Sequence, residues 1–209
     1  MCLGICSLTI PVVLLWNSVH LGGAGSGSWL ALSGAAFVAT GLGLAVGGWS
    51  LQRLADRPAG VVVPLSLAAA IFAGGLCVLL AGYIKGGAVA FPLAGSLLGV
   101  LAASAGWPLT GRLDPGTMRG IRQCCVAWGI CALYGVLLVG CAFGKLPGTR
   151  ALLVGLAPLA AWGSQRPALG RLASSWRMAV GLALVALLLL GAIVAGQQEF
   201  ERTMGPLIR

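Results

Sequence analysis

Residues 178–196 read MAVGLALVALLLLGAIVAG, a run that carries no charged side chain. A helix that crosses the hydrocarbon core of a bilayer needs about 20 predominantly apolar residues, and this run meets that requirement. A membrane-spanning β-strand would alternate apolar with polar residues, and no such alternation occurs between Ala183 and Ala195. The run therefore predicts a transmembrane helix.

The rest of the chain has the same character. Of its 209 residues, 59% are hydrophobic and 8% are charged, whereas a soluble domain is about 25% charged. A soluble globule of this size could not cover its surface with so few charges, and a disordered chain would be poor in Leu, Val and Ile. Composition excludes both classes and predicts an all-α, polytopic membrane protein.

Charge-free segments elsewhere in the chain predict further spans, which makes seven in all. The seven are residues 2–19, 29–51, 61–84, 87–109, 121–143, 151–165 and 178–196. They leave too few residues for a soluble domain, so residues 1–209 are predicted to form a single integral membrane domain. Pro158 interrupts the sixth segment, where a re-entrant hairpin is the alternative. The first segment lacks the basic start of a signal peptide and is expected to be retained.

The cationic residues favour one orientation, because Lys and Arg concentrate in cytoplasmic loops. Seven spans place one group on a single side: Arg53, Arg57, Arg112, Arg119, Arg122, Arg166, Arg171 and Arg177. The other side receives a smaller group: Lys85, Lys145, Arg150, Arg202 and Arg209. We therefore expect a protein of the cell (inner) membrane with a cytoplasmic amino terminus and an external carboxyl terminus.

Two kinds of spacing suggest how the helices are organised. Arg53, Arg112 and Arg171, each followed by Leu, lie 59 residues apart, which predicts three parallel two-helix repeats plus a closing helix. The alternative is coincidence, since two spans with two short turns have about this length. Small residues four apart at Gly43–Gly47, Ala70–Gly74, Gly95–Gly99 and Gly99–Ala103 favour close packing within one bundle, with a dimer face as the alternative.

Side chains suited to catalysis or metal binding are few. His20 is the only histidine, the seven cysteines contain no Cys-x-x-Cys pair, and no hydrolase, zinc-protease or phosphate-loop motif is present. The central parts of the predicted spans hold no ionisable group of the kind that proton-coupled pumps use. We assign no catalytic, cofactor-binding or metal-binding residue and expect no cofactor.

Asp56 and Asp114 are the exceptions to consider, since they occupy similar places in two predicted cytoplasmic loops. Together they could chelate a divalent ion on a phosphate-bearing lipid. The simpler interpretation is that Asp56 pairs with Arg53 on one helical turn, and that Asp114-Pro115-Gly116 forms a turn.

Three functions follow in order of preference. The net charge of +9 is spread among loops in ones and twos, which suits anionic headgroups at the cytoplasmic face rather than nucleic acid. We expect a non-catalytic accessory or assembly component that binds a membrane protein partner or a second copy of itself. The first alternative is a small transporter or channel for a neutral or weakly polar solute, and the second is a lipid-modifying enzyme that uses Asp56 and Asp114.

The interior of the bundle distinguishes the first two functions. A transporter would need a polar cavity at mid-membrane, reached by the hydroxyl groups of Thr40, Ser66, Ser96, Ser104 and Tyr134. An interior filled by Leu and Val would favour the accessory role.

Overall fold

The computed structural model describes residues 45–56, 61–106, 114–143, 146–165 and 173–208. Every regular element in these ranges is helical, which confirms the predicted all-α class. The elements are α1 (residues 45–55), α2 (Val62–Leu80), α3 (Ile84–Gly106), α4 (Pro115–Phe143), α5 (Gly148–Leu156), a 3₁₀ helix (Ala157–Gln165) and α6 (Ser174–Ile208).

Four helices in the described ranges are long and apolar enough to cross a membrane, judged by length and composition. They are Val62–Leu80, Ile84–Ser104, Gly116–Cys141 and Ser175–Arg202. These segments coincide with the third, fourth, fifth and seventh predicted spans. The first predicted span and residues 29–44 of the second lie outside the described residues, so the total of seven stays a prediction.

The sixth predicted span, residues 151–165, is not one continuous α-helix. Helix α5 ends at Leu156, and the chain continues as the 3₁₀ helix from Ala157. Pro158 explains the change, because proline lacks a backbone donor and its ring clashes with the carbonyl group four residues earlier. The segment is accordingly not among the four α-helices of spanning length.

Helix α2 is the centre of the bundle. In its span-length window 72% of the residues are buried, compared with 22% in that of α6. It packs against α3, α4, α5, α6 and the 3₁₀ helix, and Val63, Leu67 and Ile71 are fully buried. Helix α6 therefore turns most of its apolar surface outward, as a helix in contact with lipid does.

A close backbone approach joins α2 to α3. Gly82 in the connecting turn has a φ of +87°, a conformation that favours glycine. Further along, a Cβ atom built on Gly75 would lie 2.4 Å from the Cβ of Ala90, and one built on Gly87 would lie 2.7 Å from the carbonyl oxygen of Gly75. The two helices thus meet at glycines, which is typical of packing between membrane helices.

The predicted role of Gly95 and Gly99 in packing within the bundle is wrong for the described residues. No heavy atom of the described part of the chain lies within 4 Å of a Cβ built on either glycine. The buried stripe of α3 runs through Ala90, Ala94 and Leu97, and helical geometry places both glycines on the opposite face. The step from Ala70 to Gly74 is buried as expected, and Gly43 lies outside the described residues.

Helices α2 and α4 run parallel to each other. Gly129 of α4 lies against Leu67 of α2, and Gly140 lies against Val78. Parallel repeats require this direction, but the helices that follow differ, since α3 has 23 residues and α5 only 9 before the 3₁₀ turn. Of the three evenly spaced arginines only Arg53 lies in the described ranges, so the repeat stays a prediction.

Candidate functional site

Asp56, which directly follows α1, is bound by two side chains of α4. The Nε atom of Arg119 donates a hydrogen bond to its Oδ1 atom at 2.8 Å, and Nε2 of Gln123 donates to the same oxygen at 3.0 Å. Arg119 and Gln123 are four residues apart and therefore share a face of α4. The expected pairing of Asp56 with Arg53 is wrong: the Arg53 guanidinium lies over the ring of Trp49, 3.8 Å from its centroid.

The electrostatics of this cluster keep the Asp56 carboxylate ionised. The hydrogen bond from Arg119 lowers the pKa of Asp56 below its ordinary value, and the positive charges of Arg119 and Arg122 act in the same direction against partial desolvation. The Asp56 side chain is 31% exposed and that of Arg119 is 61% exposed. The carboxylate therefore serves as an acceptor that ties α1 to α4, at a position still reached by water.

Asp114 occupies a separate position at the start of α4. Its Oδ2 atom accepts a hydrogen bond from the Gly116 backbone at 3.1 Å, and its carbonyl oxygen accepts one from the backbone of Met118. The simple turn expected at Asp114-Pro115-Gly116 is instead the start of a helix: Pro115 and Gly116 belong to the first turn of α4, and Asp114 caps it. The partners of Asp56 lie about 8 to 14 Å further along the axis of α4, so the two carboxylates bind different groups of that helix.

In the described residues no group of three or more His, Cys, Asp or Glu side chains is placed to hold a metal ion. His20 lies outside these residues.

The serines proposed for a solute path bond to their own helices. The hydroxyl groups of Ser66, Ser96 and Ser104 donate to the carbonyl oxygens three residues earlier, at 2.7, 2.9 and 2.8 Å. Ser66 is fully buried within the apolar core, whereas Ser96 faces outward from α3. These three side chains do not converge, and Thr40 lies outside the described residues.

A cavity of about 520 Å³ lies between α1, α4, α5 and the 3₁₀ helix. Most of its wall consists of leucine, isoleucine and glycine, and among the described lining residues Tyr134 alone brings a hydroxyl group. Its described lining residues are Gly47, Gly48, Leu51, Leu67, Ile130, Leu133, Tyr134, Leu137, Leu138, Cys141, Gly148, Ala151, Leu152, Gly155, Leu156, Pro158 and Leu159. The cavity suits an apolar molecule rather than a charged one.

A second ion pair joins α5 to α6 at the other end of the bundle. Arg150 pairs with Glu199, and the Arg150 side chain is only 12% exposed. A Cβ atom built on Gly196 would contact the Arg150 guanidinium and Leu80, which places this cation beside the C-terminal end of α2. Sequence reasoning identified Arg150 as an interfacial cation but did not identify its partner.

No protein family model matches the chain, and neither the curated proteins nor the solved structures compared with it show a significant match.

Sequence reasoning missed the cavity and the Asp56–Arg119 contact. The signal for the cavity was the group of glycines at positions 47, 48, 148 and 155, which leave space where four side chains would otherwise stand. The signal for the ion pair was weaker. Arg119 and Gln123 share a helix face, but nothing in their spacing indicates that Asp56 is their neighbour.

Proposed function

We propose that this protein is a non-catalytic accessory or assembly component of a membrane complex, which binds another membrane protein or a second copy of itself. The observation that carries the proposal is the outward face of α3, where Gly95 and Gly99 have no neighbour within 4 Å among the described residues. Four helices of spanning length in the described ranges support a membrane framework for such a face.

The small residues on this face extend beyond the two glycines. Exposed Ala88, Pro92 and Ala103 continue the stripe along the helix. A glycine inside a helix is about 1 kcal/mol less favourable than alanine, and here no packing within the described bundle offsets that difference. Stripes of small residues allow membrane helices to approach closely, so a helix from a partner supplies the missing contacts.

The apolar interior supports the same choice. Leu, Val and Ala fill the buried core, and the hydroxyl groups of Ser66, Ser96 and Ser104 are occupied by their own helices. A polar solute would find no continuous set of hydrogen-bond partners along these residues. This arrangement favours a packing role over the transport of a polar compound.

Purification in mild detergent tests the proposal when it compares three forms of the chain. Wild-type protein should co-purify with a stoichiometric membrane protein or migrate as an oligomer of itself. The double variant Gly95→Leu/Gly99→Leu should lose that association, whereas Gly191→Leu, at an equally uncrowded glycine of α6, should retain it. A wild-type chain that is monomeric and alone at every detergent concentration would contradict the proposal.

A second candidate function is a transporter for an apolar or weakly polar solute, and the cavity beside Tyr134 favours it. The apolar wall offers few hydrogen-bond partners. The solute must therefore carry few polar groups of its own. Uptake of such a solute by liposomes that contain only the purified chain would support this candidate. Equal uptake by protein-free liposomes would speak against it.

We further propose that the protein lies in an inner membrane with a cytoplasmic amino terminus and an external carboxyl terminus. Arg53, Arg119 and Arg122 would then lie at the cytoplasmic face, where they would attract anionic headgroups, while Arg150 and Glu199 would lie near the external face. A reporter enzyme that is active only outside the cytoplasm, fused after Arg209, should be active. Activity of a cytoplasm-specific reporter at the same position would reverse the orientation.

A further inference from the structure

The residues that line the cavity on α4 follow one another along the axis of that helix. The cavity wall on α4 extends from Ile130 to Cys141, a rise of about 16 Å along the helix axis. Both residues lie in the spanning segment Gly116–Cys141. One leaflet of a bilayer has a hydrocarbon depth of about 15 Å, half the thickness of the core. The cavity therefore has the length of one lipid chain and lies at the depth where such chains occur.

The lining of the cavity is that of a site for hydrocarbon. No described lining residue is charged, and Leu133 and Leu137 present apolar side chains along its length. A cavity of this chemistry offers a water molecule too few hydrogen-bond partners to hold it. Because lipid surrounds a membrane-spanning bundle, the acyl chain is the group at highest local concentration beside the cavity. Its apolar chemistry also matches that of the cavity wall.

Glycines create the space. Among the described residues, a Cβ atom built on Gly47 or Gly148 would meet nothing within 4 Å, and one built on Gly155 would touch only Leu137, at 3.4 Å. Three lining positions on two helices are thus left without side chains next to a void. Side chains of leucine or alanine at these positions would extend into the void. Either residue also forms helices more readily than glycine does, so helix formation does not explain the glycines.

We propose that this cavity is a binding site for one acyl chain of a bilayer phospholipid. The acyl chain of the lipid lies along α4 between α1 and α5. It contacts Leu133 and Leu137 and fills the volume that the glycines leave. The lipid site is separate from the accessory role, because that role uses the outer face of α3 and no residue of α3 lines the cavity among the described residues. Either of the two can fail without affecting the other.

A photoactivatable phospholipid tests the site directly. The full-length chain is reconstituted in phosphatidylcholine vesicles that contain a phosphatidylcholine with a diazirine in its acyl chain, then irradiated and mapped by mass spectrometry. Label should appear at Leu133 and Leu137, although both are nearly buried. It should also appear at the exposed Leu187 of α6, which reports ordinary lipid contact. Absence of label at Leu133 and Leu137 in the wild-type protein would overturn the proposal, because another segment or no molecule would then occupy the cavity.

Cavity-filling variants supply the second readout. In Gly47→Leu, labelling at Leu137 should fall about tenfold relative to Leu187, which corresponds to about 1.4 kcal/mol of lost affinity. The control Gly191→Leu should leave the ratio unchanged, since Gly191 is equally uncrowded but does not line the cavity. Gly148→Leu repeats the test from α5 in case the first variant fails to fold. An unchanged ratio in a folded variant at either position would refute the site.

Discussion

The Nε atom of Arg119 lies 2.8 Å from the Oδ1 atom of Asp56, a residue 63 positions earlier in the chain. Gln123, one turn further along α4, donates to the same oxygen. The contact holds the end of α1 against α4. Both of these helices also line the cavity. The contact is a link between two helices made by polar groups at the edge of an otherwise apolar bundle.

A double-mutant cycle should detect this link. Asp56→Ala and Arg119→Ala should each lower the free energy of unfolding in detergent, and the coupling between them should be small but measurable, because solvent screens a pair whose side chains are partly exposed. Arg53→Ala is the matched control, since its guanidinium contacts Trp49. A coupling of Asp56 with Arg53 that exceeds its coupling with Arg119 would contradict the geometry.

The same contact predicts a dependence on acid. Because Arg119 lowers the pKa of Asp56 below its ordinary 3.8, the carboxylate stabilises the folded state fully above that value. This stabilisation should be lost as the pH falls from about 4 through the lowered pKa of the folded protein. Thermal unfolding between pH 6 and pH 2.5 measures it as the difference between wild type and Asp56→Ala. A difference that grows on acidification would have the wrong sign.

Gly75→Ala should destabilise the bundle, because its Cβ atom would lie 2.4 Å from that of Ala90 and 2.9 Å from the carbonyl oxygen of Gly87. Helix α2 would have to move away from α3, at a cost of about 1–3 kcal/mol. Gly191→Ala should be neutral or stabilise by up to about 1 kcal/mol, since that position is uncrowded and alanine favours helix. Chemical unfolding in mixed micelles compares the two variants, and equal effects would contradict the close approach of α2 to α3.

Glu199→Ala should destabilise the protein more than Glu201→Ala does. Removal of Glu199 leaves the Arg150 guanidinium, 12% exposed, without its ion-pair partner, at a cost of about 1–3 kcal/mol. Glu201 is exposed and accepts a hydrogen bond from the neighbouring Gln197 on the same helix, so its loss should change little. Melting temperatures of the two variants give the comparison, and the additional change Arg150→Met should recover part of the loss in Glu199→Ala.

Composition and segment length were sufficient to predict the all-α class and the four helices of spanning length, because membrane insertion depends on about 20 consecutive apolar residues. The consequence of Pro158 was harder to predict. Its position indicated an interruption of the helix. A kink, a re-entrant turn and a change to 3₁₀ geometry can each accommodate the missing backbone donor, and packing against α6 and α2 selects among them.

Side-chain partners depend on which helices become neighbours, and local spacing carries no information about that. Arg53 stands one helical turn before Asp56 in the chain, yet Arg119 binds the carboxylate because α4 lies beside α1 in space. In the same way, the spacing of Gly95 and Gly99 shows that they share a helix face, while Gly75 and Gly87 form the actual contact between α2 and α3. Periodicity defines the faces of each helix, whereas long-range packing selects the face that turns inward.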